Sequence, residues 1–207
     1  MAGVTLRRGL LWGLLVAALL AVTAAALVQR LRRPEPPPVL SQVPDFRLTN
    51  RDGRPVRLAD LSGAPWVADF IFTRCPASCP MMTARMARFG RDLPKDLPVR
   101  LVSFSVDPEH DTPEVLERYA KSFSAPDRWL FLTGTREQIR SLSIEGFKLG
   151  LEMDPPPAPP GITAPEPILH STRFVLVDGE GRIRGYYEAF DEEAMKRLET
   201  DLRALTP

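Results

Sequence analysis

Cysteine and histidine are scarce in this chain of 207 residues, which has 2 of each. That count excludes disulfide-dense scaffolds and multi-finger zinc modules, and any metal site must draw on nearly all of them. An excess of charge of one sign is missing too. Lys and Arg number 27 and Asp and Glu 26, a formal net charge of +1, so the broad basic footprint of a nucleic-acid-binding protein is not there. The length suits one folded domain with extra segments and excludes two large catalytic domains.

What is in surplus is proline and one apolar run. Proline occurs 22 times, roughly twice the usual ~5%. Half of these residues fall in Pro34–Pro38 and Pro155–Pro167, which read as punctuation. From Leu10 to Val28 run 19 uncharged residues; a helix of that length nearly crosses a hydrocarbon core of about 30 Å. A cleavable signal peptide is the competing reading, given Arg7, Arg8 and the small residues Ala24-Ala25-Ala26. The run is longer than a usual signal core and is followed by Arg30, Arg32 and Arg33, so an uncleaved anchor is expected. A lipoprotein is not, because both cysteines lie far downstream.

The expected organisation is a short basic N-terminus (1–9), a transmembrane anchor (10–28), a basic and proline-rich linker (29–44) and a folded domain (45–207). Without residues 1–38 the chain keeps 22 basic and 25 acidic residues and is mildly acidic. Pro34–Pro38 is expected to form an extended polyproline spacer of ~3 Å per residue, holding the domain off the membrane surface. The arginines flanking the run do not fix its orientation. A cysteine pair belongs outside the reducing cytosol, so the domain is expected on the non-cytosolic face, periplasmic in a bacterium.

Within the domain, Asp45–Leu58 reads as a hairpin around Asn50-Arg51-Asp52-Gly53. Trp66–Phe72 is an apolar run of buried-strand length, and Pro80 suits the first turn of a helix to about Leu93, with Met82, Met86 and Phe89 on its core face. Val99–Val106 and Trp129–Thr133 read as strands. Thr112-Pro113 opens a helix to about Phe123, and the capping box Thr135–Gln138 opens another toward Phe147. Arg173–Val177 and Arg182–Tyr187 form a second hairpin, and Asp191–Leu205 has helical periodicity. This order predicts an α/β fold, a mixed sheet flanked by helices.

The chemistry-bearing feature is Cys75-Pro76-Ala77-Ser78-Cys79 between a buried strand and a helix start. Helix N-termini stabilise anions, so lowered thiol pKa values are expected, suited to redox chemistry or metal binding. An inert disulfide is the bland alternative, but a loop this short constrains little of the unfolded chain. Two thiolates leave a metal under-coordinated, and only His110 and His170 are available as a third ligand. His170 sits between the proline-rich stretch and a strand, where it could swing toward the cysteines; His110 lies in a charged loop and reads as solvated. Two soft thiolates and one imidazole favour copper, whereas a structural zinc site is more often offered four protein ligands.

Phe72–Pro80 (FTRCPASCP), Ser105–Glu114 (SVDPEHDTPE) and Leu169–Ile183 (LHSTRFVLVDGEGRI) together resemble the Sco/SenC family of membrane-anchored copper proteins. The resemblance implies a thioredoxin-like fold for residues 45–207 and delivery of copper to the dinuclear copper centre of cytochrome c oxidase. By motif position it implies Cys75, Cys79 and His170 as copper ligands, in the Cu(I) or Cu(II) state, and Asp107 as the acidic residue beside them. Partners are then the copper-centre subunit of the oxidase and other copper carriers. The chain departs from the family in its proline content before His170 and in Pro167-Ile168-Leu169, where an aromatic residue is expected. The alternative function is a thiol-disulfide oxidoreductase or redox sensor using the same two cysteines.

Overall fold

The computed structural model describes residues 12–24, 26, 35–76, 78–152 and 169–206. The chain divides into two units, Met1–Glu35 and Pro36–Pro207. In the first, residues 12–24 are helical (α1). Among the described residues no helix is long and apolar enough to cross a membrane; Leu10, Leu11, Ala25, Leu27 and Val28 of the expected span lie outside them.

The second unit follows the order β1 (Ser41–Gln42), β2 (Arg47–Asn50), β3 (Pro55–Arg57), β4 (Trp66–Ile71), α2 (Ser78–Asp92), β5 (Arg100–Ser105), α3 (Pro113–Ser122), β6 (Trp129–Thr133), α4 (Arg136–Ser141), β7 (Leu151–Glu152), β8 (Leu169–His170), β9 (Arg173–Val177), β10 (Arg182–Glu188) and α5 (Glu192–Ala204). Eight strands form one sheet in the order β1-β10-β9-β4-β5-β6-β2-β3. β4, β5 and β6 run parallel, while β9 joins β4 antiparallel. The mixed sheet expected from the sequence is therefore present, with both hairpins. The first turns at Gly53, whose φ of +80° a residue with a side chain rarely adopts.

β4 is buried along its whole length, as its unbroken apolar run predicts for a central strand covered on both faces. On one face Trp66 and Phe70 meet Phe104 and Phe147, with the Phe70 and Phe104 rings stacked 5.1 Å apart. The other face carries Leu101, Ser103, Trp129 and Phe131 and is covered by α2 and α3. Gly90 of α2 lies so close that a methyl there would stand 2.7 Å from Leu101 Cδ1, and Tyr119 of α3 packs edge-on against Phe131.

α2 starts at Ser78 and carries Pro80 in its first turn, as expected; proline is tolerated there because those N–H groups have no intrahelical acceptor. Two features differ from expectation. The helix expected to run toward Phe147 stays α-helical only to Ser141 and continues as a π turn over Leu142–Gly146, closed by Phe147 N–H donating to Leu142 C=O at 2.8 Å. The wider turn delivers Phe147 into the aromatic cluster. The second difference is the linker. Leu40 N–H donates to Ile183 C=O at 2.8 Å, β1 pairs with β10, Val43 is buried, and Arg184 Nε donates to Pro37 C=O at 2.7 Å. Residues 37–43, expected within the linker 29–44, instead cover the β10 edge of the sheet, where unpaired backbone groups would otherwise face solvent.

Arg184 is itself held by Asp178 Oδ2 at 2.8 Å, and both side chains are nearly buried. Burial opposes ionisation of Asp178, but hydrogen bonds from Arg182, Arg184 and the Glu180 N–H outweigh it and hold the carboxyl below its ordinary pKa. Asp178→Ala should cost about 3 kcal/mol or more by leaving Arg184 without its counter-charge, read as a lower urea midpoint. A depressed pKa stabilises above the unfolded-state value of 3.8 and is lost as pH falls below it. The gap between parent and variant should therefore close on acidification.

Candidate metal centre

The cysteines occupy the turn that carries β4 into α2. Cys75 N–H donates to Phe72 C=O at 3.3 Å, closing a tight reversal through Thr73 and Arg74. Cys79 enters on the core face of α2 with Met82, Thr83 and Met86. Its own N–H donates to Cys75 Sγ at 3.4 Å, while its Sγ accepts from Phe72 N–H at 3.4 Å. Ser78 Oγ lies 3.5 Å from Cys75 Sγ. Both residues are buried, Cys75 at 5% and Cys79 at 0% exposure, so Cys75 is the one nearer solvent.

The lowered thiol pKa expected from the helix N-terminus is not found at Cys79. Burial pushes that thiol up; the Phe72 N–H works against the rise, and the charges of Cys75 and Asp69 add to it. Desolvation outweighs the helix terminus here because the sulfur points into the core and not along the helix axis toward solvent.

The loop after β5 pins this turn. Asp107 accepts from Arg74 Nε at 2.5 Å and from Nη2 at 3.2 Å, which ties the acidic residue singled out from sequence to the residue before Cys75. Asp111 is fully buried. Its carboxylate accepts from Thr73 N–H at 3.1 Å, Thr73 Oγ1 at 2.5 Å and Ser105 Oγ at 2.6 Å, and His110 Nδ1 is 3.0 Å away. The His110 side chain is 44% exposed, as a loop histidine should be, yet Asp111 orients its ring. Ligand-type atoms of Asp107, His110 and Asp111 lie within 4.8 Å of one another, but both carboxylates already serve the turn.

His170 is fixed by its backbone alone, in the two-residue strand β8, opposite Leu151 of β7. Its side chain, Ala77 and residues 153–168 lie outside the described residues. The structure thus gathers Cys75, Cys79 and, through Arg74, Asp107.

Sequence reasoning missed Asp111 and Asp69. Asp69 sits in β4 at 0% exposure, and neither carboxyl oxygen has a hydrogen-bond partner among the described residues. A single acid inside the run WVADFIF was the available signal.

A mixed sheet with a cysteine pair at the turn from a buried central strand into a helix defines the thioredoxin-like class of thiol proteins. Within that class the SCO1/SenC family model matches residues 35–205, and the chain belongs to that family. It is 33% identical over 170 residues to the SCO1 protein homolog of Bacillus subtilis strain 168, covering 81% of this chain and 84% of that protein. The structure of BsSco, a member of the Sco family of cytochrome c oxidase assembly proteins in which a disulfide switch was identified, matches with a TM-score of 0.67 at 32% identity, over 84% of this chain and 98% of that one. Copper-bound ScoI of Bradyrhizobium japonicum matches with a TM-score of 0.63 at 27% identity, over 77% of this chain and 98% of that one.

Replacing Asp111 by Ala removes the acceptor of three groups inside the protein. Stability should fall by about 3 kcal/mol or more in urea titration. Cys75 should be alkylated faster by iodoacetamide because its turn is released; unchanged stability and reactivity would show that the clamp plays no part.

Proposed function

We propose that this protein is a copper metallochaperone that binds the metal through Cys75, Cys79 and His170 and delivers it to the dinuclear copper centre of cytochrome c oxidase. The observation that carries this reading is the convergence of two sulfurs at one buried turn, with the Cys79 N–H on Cys75 Sγ, in a chain of the SCO1/SenC family. Two thiolates form a soft donor pair suited to Cu(I), and an added imidazole completes a trigonal set that also holds Cu(II). Copper is the cargo here. The turn supplies its shape without the metal, because Asp111 and Asp107 hold Thr73 and Arg74 in place.

The copper-binding domain is read as carried by a membrane anchor at residues 10–28, on the non-cytosolic face of the membrane. What supports this is the uncharged run Leu10–Val28 and the need of a cysteine pair for an oxidising compartment.

A second reading, thiol-disulfide exchange or redox sensing by the same pair, is favoured by the unequal burial of the two cysteines. Cys75, the less buried of the two, would attack and Cys79 resolve, a division of labour suited to dithiol exchange.

Copper titration of the reduced protein tests the first reading. One copper per chain is expected, with tight binding abolished by oxidation to the disulfide, since the thiolates are consumed. His170→Ala should weaken Cu(II) by at least about tenfold, because even changes outside the ligand shell cost 10–100-fold at metal sites. Cu(I), content with two sulfurs, should weaken less. His110→Ala should leave both unchanged. Normal binding of both copper states by His170→Ala would remove the histidine from the ligand set, and undiminished affinity in the oxidised protein would remove the cysteines.

A further inference from the structure

Among the described residues of the second unit, four large apolar side chains are exposed: Val39, Leu40, Met81 and Phe190. A single exposed apolar residue needs no explanation; what sets Met81 apart is its place. It is 56% exposed, the highest value of the four, while its neighbour Met82 is fully buried. It stands in the first turn of α2, two residues after Cys79 and three after Ser78. The end of the cysteine turn nearer solvent is the Cys75 end, since Cys75 retains 5% exposure and Cys79 none.

Helical geometry brings the thioether toward that end. Residues three apart on a helix are neighbours, with about 5–6 Å between their Cβ atoms, and a helical side chain leans back over the turn N-terminal to its own Cα. Met81 therefore leans toward Ser78, whose Oγ is 3.5 Å from Cys75 Sγ. The Cys79 N–H, donating to Cys75 Sγ at 3.4 Å, holds that sulfur at the helix end, next to the turn that Met81 covers. Methionine is unbranched and adaptable, so its sulfur sweeps from solvent to the helix end. Among the described residues around the turn, the other donors are hard, engaged or turned inward. Asp107 is bound by Arg74, and Asp111 by Thr73 and Ser105. His110 Nδ1 is 3.0 Å from Asp111. Met82 and Met86 lie on the core face of α2.

We propose that Met81 is the third soft ligand of copper in its Cu(I) state, closing over the two cysteine sulfurs from the solvent side. The proposal rests on the copper-binding reading given above and adds to it a choice of third ligand set by oxidation state. A thioether is a soft donor that selects Cu(I), whereas an imidazole also serves Cu(II). It carries no charge, so it completes the ligand set without adding to the charge of the two thiolates in a buried turn, where further charge is costly. Copper arriving from another protein meets the exposed sulfur first and passes from it to sulfurs that are 5% and 0% exposed. The thiol protons go to solvent as the metal binds. No electron moves in this step: Cu(I) enters and leaves as Cu(I), exchanging one sulfur donor for another.

The test uses the full chain, reduced and metal-free, with its methionine methyl groups labelled with carbon-13. Met81 is assigned as the methyl signal missing from Met81→Leu. One equivalent of Cu(I), added under nitrogen, should shift the Met81 methyl more than those of the buried Met82 and Met86. X-ray absorption of the Cu(I) form should count three sulfur neighbours in the parent and two in Met81→Leu. In competition with bicinchoninate, Met81→Leu should bind Cu(I) about tenfold more weakly, the low end of what changes around a metal site cost. Its Cu(II) affinity should stay within about twofold of the parent. His170→Ala should show the reverse preference, so that the two substitutions divide the oxidation states between them.

A second variant separates loss of the sulfur from loss of apolar bulk. Leucine keeps the volume and helix propensity of methionine, so metal-free Met81→Leu should melt with the parent. Glutamine keeps the unbranched chain and offers no soft donor, so Met81→Gln should lose Cu(I) affinity as Met81→Leu does. A Met81 methyl that stays unmoved in a chain holding one Cu(I) overturns the proposal and leaves the copper reading standing. Parent-like Cu(I) affinity in either variant does the same. A reduced parent that binds no copper overturns the copper reading and this proposal together.

Discussion

β4 is covered on both faces, so where it stops at Ile71 the next backbone groups must find partners inside the protein or remain unsatisfied. Three partners answer that demand. Phe72 N–H goes to Cys79 Sγ, Thr73 N–H goes to Asp111, and Phe72 C=O receives Cys75 N–H. Each fixes a residue of the cysteine turn as it satisfies the strand end. The position of the sulfurs is thus a consequence of how a central strand is terminated, and the carboxylate of Asp111 is the member that links this terminus to the loop from the neighbouring strand. Because Asp111 is buried and multiply bonded, it braces the start of the turn at Thr73, as a site that must present two sulfurs together requires.

How much of this was legible in the sequence depended on how local the signal was. Hairpins around Gly53 and Gly181, the caps Thr112 and Thr135 and the run of β4 carry their information within a few residues, and all appear in the structure. The π turn before Phe147 did not show, because its cause is distant: Phe147 must reach Trp66, Phe70 and Phe104 from other elements. The docking of residues 37–43 was hidden for a similar reason. A proline-rich stretch reads as a spacer, and only the partner Arg184, some 147 residues away in the chain, converts it into an edge cover.

The site divides along the same line. Cysteines at a strand-to-helix boundary announce themselves, and Asp107 followed from motif position. Asp111 sits four residues further along the same loop and looks like any surface acid until Thr73 and Ser105 are brought to it by the parallel pairing of β4 and β5. Asp69 offered a composition signal, one charge in an apolar run, whose meaning depends on which sheet face it occupies. The thiol pKa expectation failed on burial, a quantity that a helix terminus in a linear sequence does not reveal.

Burial of the pair also accounts for why metal binding and disulfide chemistry would share one site. A thiolate at Cys79 is disfavoured by desolvation, so the compartment selects for states that carry little net charge. Three are available: the protonated dithiol, the disulfide, and the pair neutralised by a bound cation. Passage from the first to either of the others requires protons to leave the sulfurs. Either passage meets the same obstacle, a Cys79 thiol that burial holds in its protonated form, so a turn that lowers this obstacle for one passage lowers it for the other.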